Sequence, residues 1–270
     1  MVTFKKTSRK PVRIAVFCLS LFIAGAVSGC RNRSAETSQT GAVVPEKSTA
    51  DRIAEADALY SQREDLSKVR LGIAVLWQAR IADEGNYAVA WKLAKLNYYL
   101  GLHSTDDRER DSAFREGVDA GRIAVQLQDD KADGHFWLGA NYGGSAEFSV
   151  LAGLANIQDI RREMEKVVQI DERYEGGSAY MALGQLYLKA PRILGGDKQK
   201  AVEYLEKGLR FGGNNSLLRF HLAEAYHALK RNQEARKQID FILKMTPNPN
   251  YLPEYKEAVE QAKKLEEKIA

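Results

Sequence analysis

The chain has 270 residues, of which 44% are hydrophobic and 28% charged, and a formal net charge of +4. Five basic side chains and no acidic one lie in residues 1–29; removing them turns +4 into −1 for the remainder. That excludes nucleic-acid binding through a strongly basic domain, which needs its positive charge on the folded part.

Lys5, Lys6, Arg9, Lys10 and Arg13 precede an apolar run from Ile14 to Ala26. The run is shorter than the roughly 20 apolar residues that cross a bilayer. A basic start, an apolar core and small residues at its end predict a signal peptide over 1–29 that is cleaved. The end, "AVSGC", resembles a bacterial lipobox, which implies that Cys30 is lipidated and becomes the first mature residue. Cys18 would be removed, so no intramolecular disulfide is expected. Residues 31–50 are small and polar without helical or strand period, and predict a flexible tether. The lipid would hold the domain to the bacterial cell envelope, in the periplasm. Arg31 after the lipid site favours the outer membrane over the inner in the enteric sorting rule.

From Asp51 onward, apolar residues recur at three- and four-residue spacings, which predicts helices. "LGANY" (138–142), "LGQLY" (183–187) and "LAEAY" (222–226) share leucine, a small residue, two variable positions and tyrosine. The pattern resembles the tetratricopeptide repeat (TPR), a 34-residue helix–turn–helix. After Tyr226 the expected small, bulky, apolar and helix-ending positions fall on Ala235, Ile239, Ile242 and Pro247. The step from the late small position of one second helix to the leucine of the next first helix is 14 residues for Ala79–Leu93, Ala124–Leu138 and Gly208–Leu222. Val167–Leu183 is 16, with Gly176-Gly177 accounting for the excess. The fold expected is all-α, a TPR-like α-solenoid over 51–250 closed by a capping helix over 251–270.

Two insertions interrupt the register. "PRILGG" (191–196) reads as a turn, with Pro191 stopping one helix and Asp197 capping the next. It lacks the G-x-x-x-x-G-K-[ST] of a phosphate loop. "GGSAEFSVLAGLANIQD" is apolar enough to lengthen helices or to pack over one end of the groove.

No catalytic constellation emerges. His103, His135, His221 and His227 never fall three or four apart, so no helix face offers a metal two imidazoles. G-x-S-x-G is absent, and the acidic residues are scattered as on a solvated face. No enzyme, metal or cofactor is expected.

Recognition is left to the concave wall that first helices line. The candidates are Trp91, Lys95 and Tyr98, then Phe136, then Met181, Gln185 and Lys189, then Phe220, Glu224 and His227. Such a wall suits a small apolar ligand or a partner's helix or tail. The alternative, that Trp91, Phe136 and Phe220 pack between helices, stays open, because one residue of phase rotates a side chain by about 100°.

Taken together, "GHFWLGANYG", "YEGGSAYMALGQLYLKAPRILGGD" and the lipobox resemble the T-component of TRAP transporters. The resemblance implies a non-catalytic TPR lipoprotein that accompanies an extracytoplasmic solute-binding protein and self-associates in some members. The competing expectation is a general envelope-assembly scaffold for outer-membrane, pilus or wall machinery.

Overall fold

A computed structural model describes residues 47–148 and 150–269, a single compact unit. The expected signal peptide, Cys30 and most of the expected tether lie outside the described residues. The helical domain begins at Thr49, two residues inside the expected tether. Ser48 and Asp51 form a reciprocal capping box there, which satisfies the first free amides.

Ten helices follow one another in pairs: α1 (Thr49–Tyr60) with α2 (Leu66–Ala82), α3 (Tyr87–His103) with α4 (Asp107–Leu127), α5 (Ala132–Phe148) with α6 (Val150–Ile170), α7 (Tyr174–Lys189) with α8 (Lys198–Leu209), and α9 (Ser216–Ala228) with α10 (Asn232–Lys244). α11 (Leu252–Ile269) ends the chain and packs on α9 and α10. Among the described residues there is no strand. Short polar residues start most helices. Asp65, Asn86, Asp106, Asp197 and Asn215 each accept an amide hydrogen bond from the first turn they precede.

The repeat residues form the core. Leu138, Leu183 and Leu222 are buried, as are Ala235, Ile239 and Ile242. The repeat tyrosines bury their rings, and two of them reach back with their hydroxyls. Tyr226 on α9 donates to Glu206 on α8 at 2.6 Å, and Tyr142 on α5 accepts from Arg122 on α4 at 3.2 Å. Each therefore ties a pair to the one before it. The core falls into two clusters, and α7 serves both: Ala179 and Leu183 join the first, Tyr187 the second.

The two insertions resolve differently. The one after Tyr142 lengthens helices, α5 running to Phe148 and α6 beginning at Val150. The one after Lys189 is a turn built around a short 3-10 segment, Arg192–Leu194. Pro191 precedes that segment, Gly195 takes φ 92°, and Asp197 caps α8. The two-residue excess before Leu183 is a left-handed kink at the start of α7, where Glu175, Gly176 and Gly177 have φ of 45°, 64° and 80°.

Candidate functional site

First helices α1, α3, α5 and α7 bring one set of side chains together, and the turn before α11 completes it. Lys95 projects from the middle of α3. Its ammonium lies 4.7 Å from the ring centre of Tyr60 on α1 and 5.4 Å from that of Trp137 on α5. Such cation–π contacts hold a cation without neutralising it. No hydrogen bond or ion pair reaches this ammonium among the described residues. Burial lowers the Lys95 pKa, against the opposing field of Glu175.

Aromatic rings extend the wall. Tyr98 lies 5.7 Å from Trp137, and Tyr60 meets Tyr99 edge-on at 5.6 Å. Tyr99 in turn covers His103 at 4.1 Å. Burial pushes the Tyr99 hydroxyl up to about 12 and lowers His103. Tyr174 donates to Asp133 at 2.9 Å, and its pKa is raised by burial first and by that carboxylate second.

The set is closed by residues far apart in sequence. Arg63, in the turn between α1 and α2, is buried. It donates to both Glu254 oxygens, at 2.9 and 2.8 Å, and to the Asn250 carbonyl at 2.7 Å. Its guanidinium also lies over Tyr60, 5.1 Å from the ring centre. Glu175, at the left-handed kink, accepts from the Tyr251 hydroxyl at 2.9 Å. A carboxylate held by a non-glycine residue at φ 45° is a strained arrangement, of a kind that clusters at binding sites.

The candidates read from sequence divide into three groups. Lys95 and Tyr98 lie within this cluster. Trp91 is on the same helix, partly buried, with the Lys92 ammonium 4.4 Å above its ring. Phe136 and Phe220 are buried, at 9% and 4% exposure; Phe136 packs on Trp137 and Tyr174, behind the cluster, and Phe220 joins the second core cluster. The remainder lie on α7 and α9 with local contacts. Met181 packs on the second core cluster, Lys189 donates to Gln185, Glu224 accepts from His221, and His227 meets Asn232. Sequence reading missed Tyr60, Arg63, Trp137, Tyr174, Glu175, Tyr251 and Glu254. Only Glu175 carried a local signal, the Gly-Gly that follows it.

Among the described residues, no group of three or more His, Cys, Asp or Glu is placed to hold a metal ion. Nor is any described helix long and apolar enough to cross a membrane.

Paired helices stacked in sequence, with aromatic and charged groups on the wall of the first helices, define a TPR-type α-solenoid. Solved structures agree. A thermophilic TPR protein of Thermus thermophilus superposes with a TM-score of 0.59 at 18% identity, over 79% of this chain and all of that one. The PilF protein of Pseudomonas aeruginosa superposes at 0.50 with 18% identity, over 81% of this chain and 93% of that one. No curated protein matches the sequence. The model of the TRAP transporter T-component family matches residues 90–265, and the chain belongs to that family. It is thus a TPR-type protein associated with TRAP transport and with the bacterial envelope. Family and fold are both of non-catalytic kinds.

Proposed function

We propose that the chain is a lipid-anchored periplasmic adaptor, held to the envelope through Cys30. It accompanies a solute-binding protein of a TRAP-type transporter in the uptake of a small organic ligand. The observation that carries the ligand part is Lys95. A cation drawn out of water needs an opposite charge to be stable. Here it has two aromatic faces and the fields of Glu175 and Asp57, set against those of Lys92 and Arg63, and no carboxylate pairs with it directly. A ligand with an anionic group and an apolar body would supply the missing charge and lie along Tyr60, Tyr98 and Trp137. The family membership carries the transporter part.

Native mass spectrometry of the full chain, with and without the solute-binding protein, tests both parts. The expected result is a complex of the two proteins and a retained small molecule that Lys95→Met releases. Loss of the charge should weaken ligand binding by ~10-fold or more, the scale of one charge-assisted contact. Failure to form the complex would remove the adaptor reading. A ligand held equally by Lys95→Met would remove the role given to Lys95.

A further inference from the structure

Asn97 puts a buried amide into the apolar middle of α3, at 2% exposure. Its Nδ2 donates to the Leu93 carbonyl one turn back, at 3.0 Å. Its Oδ1 accepts no hydrogen bond among the described residues. An acceptor withdrawn from water without a donor destabilises a fold, so nearly every buried one has a partner. Asn97 comes two residues after Lys95, about 200° further round the helix, and so faces away from the aromatic cluster. There it borders a cavity of about 210 Å³ between α2, α3 and α4.

The rest of the lining divides into an apolar wall and a charged rim. Ile73 on α2 and Leu100 on α3 are buried and form the wall. At the rim, Arg70 holds Glu109 in a forked contact, Nε at 2.6 Å and Nη2 at 2.8 Å. The hydrogen bonds from Arg70 first and Ser104 second lower the Glu109 pKa to about 2. That pair is complete in itself. Glu116 is not. It accepts from the Ser112 hydroxyl at 2.9 Å, and among the described residues no cation pairs with it. The cavity thus has one uncompensated negative charge and one unused acceptor.

These features select the ligand's chemistry. An anion would meet Glu109 and Glu116 and find Arg70 already engaged. A neutral alcohol could donate to Asn97 but would leave the Glu116 charge as it was. A primary ammonium brings a positive charge and three donors. Its alkyl chain would lie against Ile73 and Leu100. The volume holds about seven non-hydrogen atoms at ~30 Å³ each, the share of a water in the liquid. We infer that this cavity binds a primary alkylammonium, with Asn97 Oδ1 and Glu116 as its acceptors. A free aliphatic amine and the lysine side chain of another protein both present that group. The site is separate from the Lys95 cluster and does not rest on the adaptor reading.

Isothermal titration calorimetry of the full chain in detergent tests this, with cadaverine and Nα-acetyl-lysine N-methylamide as probes. At least one should bind saturably in the millimolar range or tighter. Pentan-1-ol and pentanoate, which have the chain without the ammonium, should not bind. Glu116 is exposed, so Glu116→Gln keeps the fold, which circular dichroism checks. It should weaken binding by ~10-fold or more, the scale of one charge-assisted contact. Asn97→Leu should weaken binding as much without lowering the urea midpoint, because it removes an unpaired acceptor. If Asn97→Leu does not fold, Glu116→Gln decides alone. Binding of cadaverine only would support the site with a free amine as its ligand. Binding of the lysine probe would support it with a protein's lysine as the source. No binding of either probe, equal binding of pentan-1-ol, or amine binding unchanged in Glu116→Gln would overturn the inference.

Discussion

His135 shows what a single buried titratable group contributes. It is 4% exposed on α5, with Nδ1 2.7 Å from Glu163 on α6 and Nε2 2.9 Å from the Asp129 carbonyl. Burial disfavours its charge, but the Glu163 hydrogen bond and the Asp129 carbonyl outweigh burial, and the pKa is raised above 6.5. Burial likewise opposes the Glu163 charge, and His135 and Arg162 overcome it, lowering that pKa below 4.5. The raised histidine adds stability below pH 6.5 that is lost as pH climbs through its folded value; the lowered glutamate adds stability above pH 4.5 that is lost as pH falls through its own. The pair is therefore worth most between pH 4.5 and 6.5. Replacing His135 by Gln should cost about 1–3 kcal/mol in that window and less once the pH has passed the raised histidine value. Urea unfolding at several pH values measures this, and a cost independent of pH would contradict the pairing. The sequence exposed His135 only as one of four scattered histidines. Glu163 lies 28 residues away, and nothing local joins the two.

The helices themselves were largely legible, because repeat packing is a local rule repeated. Each first helix carries a small residue where its second helix must come close, and the spacing of those residues gives the register. Their tolerance differs in a way that the pattern alone does not reveal. A Cβ on Gly184 would lie 2.5 Å from Leu205 Cγ, a branched carbon fixed in the core. On Gly139 it would meet Met164 Cε at 2.7 Å, the free end of a flexible side chain. Gly184→Ala should therefore cost about 1–3 kcal/mol. Gly139→Ala should cost less, because Met164 Cε can move and helix propensity favours alanine, leaving only Glu163 Cβ at 3.1 Å to give by a few tenths of an ångström. Equal losses in urea midpoint would mean that the two repeats do not pack as described. What the pattern could not place was the inward face. Phe136 and Trp137 are adjacent, and only the helix phase decides that Trp137 meets Lys95 while Phe136 meets Tyr174.

At the scale of the molecule, the C-terminal helix does more than seal an end. It buries Ala258, Ala262, Leu265 and Ile269, as a capping helix should. Its start also reaches the α1–α2 turn through Arg63 and Glu254, 191 residues apart, and through the Lys256–Glu64 pair at 2.6 Å. No spacing rule announces a contact of that range, so the solenoid was legible as an open stack and its closure was not. The two ion pairs should differ sharply in weight. Lys256 and Glu64 both keep more than half their side-chain surface in water, and such pairs contribute about 0–1 kcal/mol. The Arg63 side chain is 8% exposed and that of Glu254 is 26%, with a forked contact and a tyrosine face beneath. Arg63→Ala strands Glu254 and the Asn250 carbonyl, and should cost about 2 kcal/mol, below the 3–5 of a fully buried pair because Glu254 can rehydrate. Hydrogen exchange locates the effect. Amides near the start of α11 should exchange faster in Arg63→Ala and Glu254→Ala, those of α4 and α5 should not change, and Lys256→Ala should resemble wild type. A double variant no worse than either single one would show that the two residues act as one latch, whereas unchanged exchange at α11 in Arg63→Ala would mean that the latch does not hold the ends together.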